Sequence, residues 1–214
     1  MSYWSNTLLY LSQGARTSVL VMFTTLVLSI PLSILFAYLK FLKLPMISSA
    51  LHIYTWLIRG TPLLLQLYFT MYGLPLILPI RFSRITVGII TFAINYTAYL
   101  TEIFLSGFQS VSKGQWEAST SLGVSKFDTL LSIVLPQATA MVLPTLANET
   151  ITLIKDTSLL AAIAIGELLR NAREIVSRDL RIDALILAAG IYLMFTYGIL
   201  IVFQQIKRRF IWLT

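Results

Sequence analysis

Five long apolar stretches separated by short polar ones set the pattern of this chain. The first covers about Thr17–Leu39 and is closed by Lys40 and Lys43. A second, about Ile47–Leu78, is interrupted by Arg59-Gly60-Thr61-Pro62. The third covers about Ile85–Phe108, after Arg81 and Arg84, and the fourth about Leu130–Ile165. The fifth, about Ala184–Ile206, ends at Lys207-Arg208-Arg209. A helix needs about 20 mainly apolar residues to cross the hydrocarbon core. The pattern therefore predicts an all-α integral membrane protein of about five transmembrane helices. Pro31 is compatible with the first span, because neighbouring helices can satisfy the carbonyl it frees. Tyr3, Trp4 and Tyr10 give the first sixteen residues the look of an interfacial entry segment. No basic region followed by a small-residue cleavage site is present, so no removable signal peptide is expected.

Composition sets the same class. The chain of 214 residues is 57% apolar and 12% charged, with a mean hydropathy of +0.82, well outside the soluble range. There is no cysteine, hence no thiolate chemistry, and the single His52 excludes a histidine-rich metal site. The net charge of +7 lies between spans rather than along one face, which argues against nucleic acid as a partner. Neither repeats nor low-complexity tracts divide the chain, so residues 1–214 read as one transmembrane domain.

Loop charge divides equally between the two sides of the membrane. Lys207-Arg208-Arg209 abuts the end of a span, where the positive-inside bias is strongest. The arginines of Gly166–Asp183 are interleaved with Glu167, Glu174, Asp179 and Asp183, as in a folded, charge-paired segment. Both features place the N-terminus outside and the C-terminus in the cytoplasm.

The polar stretch at about 109–128 carries the most specific signal. Gln115–Leu122 has a helix-permitting composition, and Gly123 supplies a position where positive φ costs little. Such a short helix can dock as a lever into a groove on a partner, with Trp116 and Leu122 as buried contacts and Glu117 as an ion-pairing group. An ordinary solvated loop with one amphipathic turn is the plainer alternative. The spacing decides between them. Glu117-Ala118-Ser119, three residues, Gly123, nine residues and Ile133-Val134-Leu135-Pro136 closely resembles the "EAA" loop of membrane permeases of ATP-binding-cassette importers. Only Ser119 departs, standing where that pattern has alanine.

Three further segments extend the resemblance. Arg59–Leu67, Asn95–Glu102 and Ile154–Leu159 resemble the branch that takes up polar amino acids such as histidine, arginine and glutamine. The resemblance implies a type I importer permease fold with a cytoplasmic coupling helix, in a bacterial plasma (inner) membrane. It also implies partners: a cytoplasmic ATPase dimer that binds the ATP and Mg, an extracytoplasmic amino-acid-binding protein, and a second permease copy or sibling. No cofactor is assigned to the chain itself.

Ionisable groups at membrane depth are rare and cost about 2.5–3.5 kcal/mol each on insertion scales. The fourth segment holds Glu149, Lys155 and Asp156. On a helix, Thr145, Glu149, Thr152 and Asp156 fall within about 60° of one another. Such a stripe suits a zwitterion, with carboxylates for an ammonium and hydroxyls for the rest. Lys155 lies off it and either reaches a substrate carboxylate from the side or neutralises Asp156. An internal Glu–Lys–Asp network holding helices together is the structural alternative. Asn95, Thr97 and Tyr99 offer further polar groups, with interhelical glue as their plainer role. Glu102, nearer the loop, reads as structural. Thr61 precedes a proline and is pushed from helical geometry, so a bend is expected there, with Arg59 beside it. One excess negative charge among Glu149, Asp156 and Lys155 favours a cationic or neutral polar amino acid over an acidic one.

Absent motifs narrow the class. The chain has no phosphate-binding Gly-x-x-x-x-Gly-Lys-Ser/Thr, so an energy source must be a separate subunit. Hydrolase signatures are missing as well, which leaves an intramembrane hydrolase with little support. An ion-coupled secondary carrier would use the buried carboxylates but has no use for the Glu117–Pro136 loop.

Overall fold

The computed structural model describes residues 3–79 and 81–210. The first helix, α1, runs unbroken from Tyr3 to Phe41 with Pro31 inside it. The residues expected to form an interfacial entry segment are thus the opening turns of the first long helix. Helices α2 (Pro45–Arg59) and α3 (Leu63–Ile77) replace the second apolar segment. At 15 residues, α2 is about 23 Å long, shorter than a hydrocarbon core of about 30 Å. Four other helices or composite helices are long and apolar enough to cross alone. The second apolar stretch is thus a broken pair of shorter helices rather than one continuous span.

The remaining elements follow in order. Helix α4 spans Arg84–Ser110, with Ser83 accepting from the Thr86 amide at its start. The short helix α5 covers Lys113–Ser121. Composite helix α6 runs Lys126–Ile163, its last turns (Thr157–Ile163) tightening to 3₁₀ geometry. Helix α7 covers Leu168–Asp179, and α8 covers Asp183–Phe210. Two wide π turns, Phe69–Gly73 in α3 and Leu130–Val134 in α6, each end two residues before a proline, Pro75 or Pro136. A proline lacks its N–H and its ring crowds the carbonyl four residues back, and a widened turn accommodates both.

Helix α4 lies at the centre, against α1 and α6. The inward stripe of α1 is made of small residues: Gly14, Ser18, Thr25, Ser29, Ser33 and Ala37 are all buried. Lipid is as apolar as leucine, so close backbone approach and interhelical hydrogen bonds choose the inner face. Ser29 accordingly donates to the Ala93 carbonyl of α4 at 3.1 Å. Gly107 of α4 sits where a Cβ would come 3.1 Å from the Ala138 carbonyl oxygen of α6.

The polar segment after α6 folds as a charge-paired helix. Buried Glu167 caps α7, accepting from the amides of Leu169 (2.9 Å) and Arg170 (2.6 Å). Arg170 pairs with Glu174, Arg178 with Asp179, and Arg181 with Asp183. Asn171 donates to the Tyr10 carbonyl at 2.8 Å, tying α7 to α1.

Candidate functional site

The site is built around the break between α2 and α3. Gly60 ends α2, its amide donating to the Trp56 carbonyl at 2.9 Å. Pro62 begins α3 in extended geometry, at φ −62° and ψ 134°. Arg59, the last residue of α2, is left beside the central helix, its guanidinium 5.3 Å from the centroid of the Tyr99 ring. A cation over an aromatic face is attracted by the ring quadrupole.

A cavity of about 400 Å³ opens at this break. Arg59 and Thr61 line it from the break, Asn95, Tyr96 and Tyr99 from α4, and Glu149, Thr152 and Asp156 from α6. A second chamber of about 280 Å³ shares Arg59, Tyr99 and Glu149 and continues past Thr145 to Glu102. All four members of the polar stripe thus face the two chambers. The Tyr96 hydroxyl donates to Asp156 Oδ2 at 2.8 Å, and Asn95 Nδ2 donates to Gln66 Oε1 at 3.0 Å. Two carboxylates, a guanidinium, an amide and hydroxyls converge on one space, with an excess of acceptors suited to an ammonium-bearing ligand.

Two of the sequence-predicted residues lie elsewhere. Thr97 is buried on the other side of α4, beside Leu28, Leu32 and Phe36 of α1, and its hydroxyl has no partner among the described residues. It is two residues from Asn95, about 200° around the helix, which carries it away from the cavity. Lys155 is exposed and outside the lining, about 100° from Asp156. Arg59 and Tyr96 take their place. Arg59 was signalled by a charge inside an apolar run next to a helix breaker, and Tyr96 only by its position next to Asn95.

The second constellation is α5. Gly123, at φ +73°, ends it, with Val124 N donating to Ser119 O (3.1 Å) and Gly123 N to Thr120 O (3.0 Å). This pair of bonds closes a helix on a left-handed residue. Glu117, Ala118 and Leu122 are exposed, Leu122 by 81%. Trp116 instead turns inward and stacks on Phe41, with centroids 5.2 Å apart. The expectation that Trp116 would present itself to a partner is corrected: it anchors α5 to its own chain. Buried Ser119, the one departure from the loop pattern, pairs its hydroxyl with that of Thr129.

Comparison with known proteins gives the geometry its context. The Bacillus subtilis (strain 168) "Probable amino-acid ABC transporter permease protein YckA" is 34% identical, over 94% of this chain and 88% of that one. The "L-cystine transport system permease protein TcyB" of the same organism is 34% identical, over 97% and 88% of the two chains. A crystal structure of an amino acid ABC transporter with histidines matches 98% of this chain and 99% of its own, at 29% identity and a TM-score of 0.85. The architecture is therefore that of a type I importer permease. The family model described as "Binding-protein-dependent transport system inner membrane component" covers residues 29–212. With most of its length matched in this way, the chain belongs to the family of binding-protein-dependent transport system inner membrane components.

Proposed function

We propose that this chain is the membrane permease subunit of an ATP-driven importer of polar amino acids, with cationic or neutral side chains preferred over acidic ones. The observation that carries this reading is the convergence of Glu149, Asp156 and Arg59 on one cavity at the α2–α3 break. Two carboxylates receive an α-ammonium or a side-chain cation, and the guanidinium matches an α-carboxylate. The formal surplus of one negative charge disfavours an acidic side chain. The names of the related permeases, which include amino-acid and L-cystine transporters, support the same substrate class.

Energy comes from a separate cytoplasmic ATPase dimer, which carries the ATP and Mg. It meets the exposed edge of α5, where Glu117, Ala118 and Leu122 face outward and Gly123 ends the helix. An extracytoplasmic binding protein delivers the amino acid, and a second permease copy or sibling closes the open side of the cavity. In this arrangement the N-terminus is outside and the C-terminus cytoplasmic.

Removing one partner of a buried charge-assisted pair costs several kcal/mol, because the other charge is left unpaired in low dielectric. Each 1.4 kcal/mol is about tenfold. Glu149→Gln and Asp156→Asn are therefore expected to lower uptake of labelled arginine, histidine or glutamine by about ten-fold or more per assembled complex. Reconstitution with the ATPase and binding protein, beside a thermal melt, gives the test. Unchanged uptake with reduced stability in both variants would return these carboxylates to the scaffold.

A further inference from the structure

We propose that Gln66 is a positioning residue that fixes the amide of Asn95 with its oxygen, rather than its nitrogen, available to the transported amino acid. The inference rests on the cavity reading above and deepens it.

The argument starts from the helix break. Four residues beyond Ile58, the regular partner of its carbonyl would be the amide of residue 62, which is a proline and has none. Gln66 Nε2 fills that place, donating to Ile58 O at 2.8 Å. The same nitrogen lies 3.2 Å from the Thr61 carbonyl and 2.9 Å from the Thr61 hydroxyl. The Thr61 hydroxyl gives its own hydrogen to Leu57 O, at 3.0 Å, and so stands as an acceptor toward Gln66. Carbonyl oxygens only accept, so the –NH2 end of Gln66 has to face the break.

Its other end is thereby determined. Oε1 of Gln66 points to α4 and accepts from Asn95 Nδ2 at 3.0 Å. Turning the Asn95 amide over would set two carbonyl oxygens against each other. Asn95 therefore turns its –NH2 end toward Gln66, one of the two hydrogens making that bond, and leaves Oδ1 for the cavity it lines. Among the described residues no donor reaches that oxygen. The polarity of one side chain in the cavity is thus dictated by a missing proline N–H, relayed through Gln66. With Glu149 and Asp156, Asn95 Oδ1 completes a set of acceptors for the hydrogens of an ammonium group.

The test is a double-mutant cycle on transport, in complexes reconstituted with ATPase and binding protein. Labelled L-arginine, L-histidine and L-glutamine are the probes. Gln66→Leu and Asn95→Ala are each expected to lower turnover about tenfold per assembled complex. The double variant falls no further, because both changes remove the same oriented acceptor. Half-saturation by the loaded binding protein stays unchanged. Multiplicative losses in the double variant, or a Gln66→Leu effect confined to assembly and melting temperature, would overturn the assignment. Should Gln66→Leu not assemble, Thr61→Val removes one acceptor and is expected to lower turnover about threefold only when Asn95 is present. An equal effect with Asn95→Ala counts against the relay. If Glu149→Gln and Asp156→Asn leave uptake unchanged, the cavity reading itself fails. If they lower it while the cycle is multiplicative, only the role of Gln66 falls.

Discussion

Phe41, the last residue of α1, stacks on Trp116 in the first turn of α5 with centroids 5.2 Å apart and planes inclined by 22°. Phe41 also meets Phe108 of α4 edge-on at 6.2 Å. Its neighbour Lys40 pairs with Glu102 of α4 and donates to Thr55 of α2 at 3.2 Å. The end of α1 is thus fastened to α5 on one side and to α2 and α4 on the other. Glu102 in turn lines the second chamber with Arg59 and Glu149. A displacement of α5 therefore has contiguous contacts through which to reach the cavity.

Trp116→Ala should loosen this attachment. The stack contributes about 0.5–1.5 kcal/mol beyond area burial, and the truncation of a half-buried indole costs less than the about 3–5 kcal/mol of a fully buried one. We expect a lower melting temperature and more ATP consumed per amino acid imported, while Trp116→Phe retains both. Normal coupling stoichiometry in Trp116→Ala would remove the stack from transmission.

The Lys40–Glu102 pair gives a second prediction. The Lys40 side chain is fully buried and that of Glu102 is 25% exposed. Removing either partner alone strands the other, at about 3–5 kcal/mol for a buried pair. Lys40→Met and Glu102→Leu should each lower the thermal midpoint clearly, and the combination should recover most of the loss. Equal, additive losses would show that the two charges do not depend on each other.

Gly14 tests the junction of α1 with α7. A Cβ there would lie 2.7 Å from both the carbonyl carbon and oxygen of Glu167, and backbone cannot rotate away as a side chain does. Gly14→Ala should cost about 1–3 kcal/mol through forced separation. Gly190→Ala is the control: nothing lies within 4 Å of its Cβ position, and alanine favours the helix by up to about 1 kcal/mol. Thermal melts of the two purified variants should move in opposite directions.

Glu174 supplies a pH dependence. The Tyr10 hydroxyl, 2.5 Å away, and then the Arg170 guanidinium, at 2.8 Å, hold its carboxyl below the usual glutamate range. A lowered folded value means that the charged form is the one stabilised. Its contribution is fully present above the unfolded value, about 4.3, and is lost as pH falls through the lower folded value. The melting midpoint should therefore drop more steeply below pH about 4 in the parent than in Glu174→Gln. Parallel curves would dissociate Glu174 from the contact.

Orientation is open to direct labelling, because the chain contains no cysteine. A cysteine in place of Lys113 should react with an impermeant thiol reagent only from the cytoplasmic side, and one in place of Arg173 only from outside. The reverse pattern would take α5 away from any cytoplasmic ATPase.

The features legible in the sequence are those governed by local periodicity. A span announces itself by length and hydropathy, the Glu149–Thr152–Asp156 stripe by the fixed rotation per residue, and the end of α5 by a glycine that tolerates φ +73°. The bend near Thr61 followed from Pro62 in the same way. Tertiary structure decided what those local features meet. In lipid both faces of a helix are apolar, so hydropathy does not tell inside from outside. The sequence alone therefore left Thr97 between a substrate contact and interhelical glue, and turned Trp116 toward a partner. The small-residue stripe of α1 was the available signal for burial, since close approach rather than apolarity selects the inner face. Arg59 and Tyr96 joined the cavity because α2, α4 and α6 converge at the break. Gln66 acquired its role from a carbonyl eight residues away and an amide on another helix. Hydrogen bonds between elements depend on how the helices pack, and no spacing along one helix encodes that.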